Sequence, residues 1–131
     1  MWARLTAALS NGFCLGLLLS DTVQAQPQDM VRAHDALKLT GKYTMVCGVI
    51  ASANYLRNVR GGPTHLNFDK PYPKHDFSAI IFEKNCKHFK LKPETLGGYK
   101  ACVYGKIKVY KGKAQIVLVK SSQLSVKAPK N

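Results

Sequence analysis

Basic and aromatic side chains interleave at three places in this chain. Tyr55, Arg57 and Arg60 fall within the Asn- and Gly-containing stretch 54–63, and Tyr110, Lys111 and Lys113 surround Gly112. Between them, Lys70-Pro71-Tyr72-Pro73-Lys74 repeats the pattern, and Lys106 and Lys108 lead into the last cluster. Aromatic rings give bases a surface to stack on, about 1–3 kcal/mol per base. Lysine and arginine displace counterions from phosphates. The chemistry these residues suggest is capture of a polyanion, single-stranded nucleic acid above all. Packing at a domain rim accounts for any one tyrosine equally well; the interleaving is what favours a ligand.

The charge balance agrees. The 131 residues carry 20 Lys and Arg against 7 Asp and Glu, a formal charge of +13. Solubility alone explains a charge of about 2–8 on a small domain, so the excess points to nucleic acid, anionic lipid or lipopolysaccharide. Nuclease chemistry is less well supported. Metal-assisted phosphodiester cleavage needs clustered carboxylates or histidines, whereas Asp29, Asp35, Asp69, Asp76, Glu83 and Glu94 are scattered. His75-Asp76 is the nearest thing to a dyad and reads as a solvated loop pair. Cys86-Lys87-His88 lacks the second cysteine pair of a zinc site. The expectation is therefore a binding protein with no catalytic residue, no metal and no cofactor. A module for another envelope polyanion or a protein, or an accessory subunit of a secreted nuclease, is the alternative.

The elements that position these residues follow from patterning. Residues 1–25 read as a secretory signal peptide: Arg4 is the positive start, Phe13–Leu19 the apolar stretch, and Ala25 the small residue before Gln26-Pro27. Cleavage near Ala25 implies a periplasmic or secreted protein without a membrane span. The remaining 106 residues keep 19 basic and 6 acidic side chains, so the charge belongs to the domain. Residues 26–40 form a helical lead-in, with Met30, Ala33, Ala36 and Leu37 at helical spacing. The domain proper spans 41–125, and a frayed basic tail spans 126–131.

Five strands are expected. Residues 43–53 form an almost continuous apolar run, which suggests a strand buried on both sides. Residues 64–69 alternate, with Leu66 and Phe68 inward and His65, Asn67 and Asp69 outward. Residues 77–82, 101–110 and 115–120 supply the others, Lys111-Gly112-Lys113 turning between the last two. Residues 83–89 can make one or two helical turns. Five strands with a helix between the third and fourth is the order of an OB-fold, a small Greek-key barrel; an SH3-like barrel is the runner-up. OB-folds bind single strands on the face of strands 2 and 3, between the loops joining strands 1–2 and 4–5. That places Tyr55, Arg57 and Arg60 on one side, Tyr110, Lys111 and Lys113 on the other, and His65 and Asn67 between. Lys70, Tyr72 and Lys74 lie beside them.

Three stretches match a known pattern: Ala36–Lys42 leading into Val46-Cys47-Gly48-Val49; Pro63–Pro73, with Leu-Asn-Phe-Asp-Lys-Pro-Tyr-Pro as its most specific part; and Cys102–Ile107 followed by Tyr110–Ile116. Over about 90 of the 106 residues, the chain resembles a family of small exported bacterial OB-fold nucleic-acid-binding domains, also found beside secreted nuclease domains of the micrococcal type. The resemblance implies a fold and a nucleic-acid role, and no catalytic residues. Two positions depart from the pattern: Ala114 stands where a proline is usual, and His65 where an apolar or aromatic residue is. In such a barrel strand 1 runs antiparallel to strand 4, so Cys47 and Cys102 can lie side by side at a Cβ separation of about 4.5–5.5 Å, close to what a disulfide accepts. Export favours that bridge over two buried thiols, although with Cys86 three pairings exist. The combined expectation is an exported, monomeric protein that binds nucleic acid with little sequence specificity.

Overall fold

The computed structural model describes residues 30–127. The expected signal peptide and the end of the tail, residues 128–131, lie outside the described residues. The chain is mostly β. Its strands are β1 (Met30–Arg32), β2 (Tyr43–Tyr55), β3 (Thr64–Phe68), β4 (Phe77–Ile81), β5 (Lys100–Lys106), β6 (Lys108–Tyr110), β7 (Lys113–Val117) and β8 (Leu124–Lys127). Short 3₁₀ turns of helix occur at Ala33–Leu39, Glu83–His88, Pro93–Thr95 and Ser121–Gln123.

The strands form one sheet in the order β6-β7-β4-β3-β2-β5-β8, with β1 lying parallel to the first half of β2. β2 is the hub. Its first half pairs antiparallel with β5, from Tyr43↔Lys106 to Val49↔Lys100, and its second half with β3. β4 and β7 are parallel, which is the crossover that the OB-fold order requires. The five expected strands thus become eight. Ile107 splits the predicted strand 101–110 into β5 and β6, and short strands are added at each end. The hydrogen-bonded ladder is not closed; β5 and β6 meet through the chain at Ile107. The expected lead-in helix is a strand followed by a 3₁₀ turn. The predicted tail begins too early, because Val126 and Lys127 pair with Ala101 and Lys100.

Alternation places the core. Leu66 and Phe68 from β3, Phe77, Ala79 and Ile81 from β4, Val103 from β5 and Ile116 from β7 are buried together with Ile107 and Leu118. Phe68 and Phe77 meet edge to face at 5.2 Å. Leu96, just after the Pro93–Thr95 turn, packs into the same cluster. β2 does not match the expectation of burial on both sides: among its thirteen residues only Val46 and Ile50 are fully enclosed. One face of the strand stays largely open, with Tyr43 and Val49 exposed, and a β-bulge then changes which residues supply it. Ile50 pairs with Phe68 and Ser52 with Asn67, so Ala51 is the extra residue. After it the phase reverses. Ala53 turns to the core opposite Leu66, while Ser52 and Asn54 turn outward.

The disulfide joins Cys47 to Cys102, which face each other across β2 and β5. Cys86 is unbonded and half-buried. Lys111 and Gly112 form the two-residue hairpin between Tyr110 and Lys113, both at positive φ (50° and 78°), the geometry of a type I′ turn.

Candidate nucleic-acid interface

Two rows of residues cross the outer face of the sheet. Ser52, Asn67, Ser78, Gln115 and Lys108 pair in turn from β2 through β3, β4 and β7 to β6, giving a wholly polar row. Asn54, His65, Ile80 and Val117 form the row beside it. Ile80 is only 3 % exposed, yet it lies apart from the core cluster and shares a pocket with Val59, Arg60 and Pro63 of the loop before β3.

Two pockets open on this face, and His65 lines both. One, of about 500 Å³, is bounded by Ser52, Asn54, Leu56, His65, Asn67, Pro71 and Tyr72. The other, of about 280 Å³, is bounded by Val59, Arg60, Pro63, His65, Ile80, Phe82, Tyr110 and Gln115. Asn67 is 1 % exposed, and its Nδ2 donates to Ser52 Oγ at 2.9 Å and to Asn54 Oδ1 at 3.3 Å. Its Oδ1 is buried without a partner. Burial holds the His65 imidazole below its ordinary pKa. Tyr72 is 71 % exposed and stacks on His75, the ring centroids 5.8 Å apart. Lys70 and Lys74 are exposed on either side of it.

The predicted residues do not all gather here. The first loop divides. Arg60 lines the smaller pocket with Tyr110 and Gln115, whereas Arg57 lines a separate hollow with Lys84 and Lys87. Tyr55 follows Asn54 and so leaves β2 on the opposite side. Its hydroxyl donates to Glu83 Oε1 at 2.7 Å, and that hydrogen bond raises its pKa. Lys106 lies opposite Tyr43, past the break at Ile107, while Lys108 is on the polar row. Lys111 Nζ sits 5.4 Å from the centre of the Tyr110 ring. Lys113 Nζ donates to the His75 carbonyl and is already engaged.

Sequence reasoning missed Ser52, Asn54, Ser78 and Gln115. The polar–apolar alternation Ser52-Ala53-Asn54 was the available signal, hidden by the apolar run that precedes it. The two departures from the resembled family have local explanations. Ala114 uses the N–H that proline lacks, donating to the Asp76 carbonyl at 3.3 Å. His65 is the shared wall of both pockets.

No family model matches this chain, and neither does any curated protein. Solved structures do share the fold. An OBody, AM1L10, bound to hen egg-white lysozyme is 16 % identical, with a TM-score of 0.52 over 80 % of this chain and 98 % of that one. The aspartyl tRNA synthetase from Entamoeba histolytica is 9 % identical, with the same TM-score of 0.52 over 82 % of this chain and only 24 % of that one. The chain is thus similar to nearly the whole of the OBody and to about a quarter of a synthetase, at identities that speak for fold alone. Together with the parallel β4–β7 pair, they make the fold OB-like.

Proposed function

We propose that this domain binds single-stranded nucleic acid on the outer face of β3, β4 and β7, as an exported protein that performs no turnover. The observation that carries the reading is the polar row from Ser52 to Lys108, flanked by His65, Tyr72 and Tyr110 and edged by Arg60, Lys70, Lys74, Lys108 and Lys111. Ser52, Gln115 and the rings are the accessible groups and suit bases, Asn67 and Ser78 being buried, and cations at the rim suit phosphates. The OB-like fold and the resemblance to small exported bacterial OB domains support it. So does the disulfide, since such bonds persist in oxidising compartments. No helix among the described residues is long and apolar enough to cross a membrane. Three of the acids are used structurally: Asp69 accepts from the Val49 N–H, Glu83 from Tyr55, and Asp35 from Lys38.

A fluorescence titration with labelled single-stranded DNA, repeated over a range of salt, tests the reading. Arg60→Ala and Lys108→Ala should each flatten the slope of log affinity against log salt by about 0.7. Lys100 and Lys127 carry the same charge beside the disulfide. Should their removal weaken binding as much, the interaction is diffuse charge attraction and this face is not the site. Heparin or lipopolysaccharide displacing the DNA at equal charge concentration would reassign the protein to polyanions in general.

A further inference from the structure

The pocket between β2, β3 and Tyr72 is unusual for so basic a domain. No lysine, arginine, aspartate or glutamate lines it. Its imidazole, His65, is held below its ordinary pKa by burial, which favours the neutral ring. A phosphate finds no cation to pair with there, so the part of a ligand best suited to it is uncharged. Leu56, Pro71 and the exposed Tyr72 give apolar walls suited to a flat heterocycle.

The hydrogen-bonding pattern goes further. Asn67 Nδ2 donates both its protons, one to Ser52 Oγ and one to Asn54 Oδ1. Both neighbours are thereby fixed as acceptors toward Asn67. Ser52 keeps its hydroxyl proton, and Asn54 keeps its amide protons, with no acceptor for either among the described residues. The acceptor left over, Asn67 Oδ1, has essentially no accessible surface. A neutral His65 can supply one nitrogen of either kind. The accessible groups set by Asn67 are therefore donors.

We propose that this pocket takes one base of the bound strand and selects a base bearing a carbonyl oxygen. Thymine, uracil, cytosine and guanine qualify; adenine alone has no exocyclic oxygen. Ser52 and Asn54 contact the base, and Asn67 is the positioning residue that aims them. This rests on the nucleic-acid reading and adds one position of sequence preference to it.

The test uses labelled oligodeoxyadenylate and the same strand with a single central thymidine, cytidine or guanosine. A fourth strand with one abasic residue breaks the adenine stack without supplying a base. One added carbonyl base should tighten binding about three- to tenfold, the worth of a hydrogen bond or two, and the abasic strand should gain nothing. Ser52→Ala with Asn54→Ala should remove the gain. Asn54→Asp keeps an acceptor for Asn67 but turns an acceptor outward, so the thymidine gain should be lost while cytidine and guanosine, whose amino groups donate, keep part of theirs, even as the added charge weakens every strand. Arg60→Ala should weaken all strands alike and keep the ratios. Equal affinities for all strands, or a preference unchanged in both Asn54 variants, overturns the proposal while leaving nucleic-acid binding intact. Failure of every strand to bind at low salt overturns both.

Discussion

Lys113 Nζ donates to the main-chain carbonyl of His75 at 2.6 Å, across 38 residues of sequence. The bond ties the β6–β7 hairpin to the loop that carries Tyr72, so Lys113 holds the site's shape and is not a free cation. Lys113→Met should cost about 1–2 kcal/mol in urea unfolding, the worth of a charge-assisted bond that is partly exposed. Lys111→Ala, at the exposed turn beside it, should leave the midpoint unchanged and weaken nucleic-acid binding. Equal midpoints for the two variants would show that the Lys113 bond contributes nothing.

Stability should respond to mild acid. Burial keeps the His75 imidazole below its ordinary pKa, with the nearby Lys113 and His65 acting in the same direction and Asp76 against them. Burial does the same to His65. The unfolded chain then takes up protons that the folded chain refuses, so stability is present above about pH 6.5 and declines as pH falls below it. Melting temperatures measured between about pH 7.5 and 5 should fall, and His75→Gln should flatten the decline. A melting temperature that rises toward pH 5 contradicts the burial argument.

The Cys47–Cys102 bridge spans 55 residues of sequence. Its removal should cost about 2–4 kcal/mol, because the unfolded chain regains the freedom of a long loop. Without reductant, alkylation should label Cys86 and neither Cys47 nor Cys102. Burial, and then the Glu94 and Glu83 carboxylates, push that thiol's pKa up, so its labelling should still be accelerating at a pH where an unhindered thiol has levelled off. Mass spectrometry that finds label on Cys47 or Cys102 removes the assignment.

Gly48 is required by a close approach. A Cβ there would stand 2.6 Å from Asp69 Oδ1, the atom that accepts the Val49 N–H at 2.9 Å. Gly48→Ala should displace the carboxylate and cost about 1–3 kcal/mol. Because the damage passes through Asp69, adding Asp69→Ala should cost less than the two changes summed, a coupling that a double-mutant cycle measures. Strict additivity would mean that the methyl group harms something else.

The strands beginning at Thr64 and Lys100 were legible because their inward residues alternate cleanly: Leu66 and Phe68, then Val103 and Gly105. The crossing of β2 with β5 was legible enough to bring Cys47 opposite Cys102. What patterning could not show was chain that pairs without alternating. β1 and β8 are three and four residues long, too short for a period to appear. The interface was half legible. His65, Asn67, Tyr72, Arg60, Lys108 and Tyr110 sit on or beside the polar face, but Tyr55 and Lys113 answer to partners far along the chain, Glu83 and His75, which no local pattern records. Arg57 and Arg60 are three residues apart and were treated as one cluster, yet the turn between them sends them to different hollows.

Ala51 is a phase shift written as one extra residue. Up to Ile50 the even-numbered positions of β2 face the oil, and beyond Ala51 they face the water. The kink keeps the two halves in step. Were the strand to run straight through Ala51 with Ile50 still opposite Phe68, Ser52 would come opposite Leu66 and Asn54 opposite Thr64, and the hydrogen-bonding wall would be dealt into the core. Taking Ala51 out closes the kink instead, and leaves Ser52 across from Asn67, Ala53 from Leu66 and Asn54 from His65. A family aligned to this chain should therefore show position 51 as the natural place for a one-residue gap.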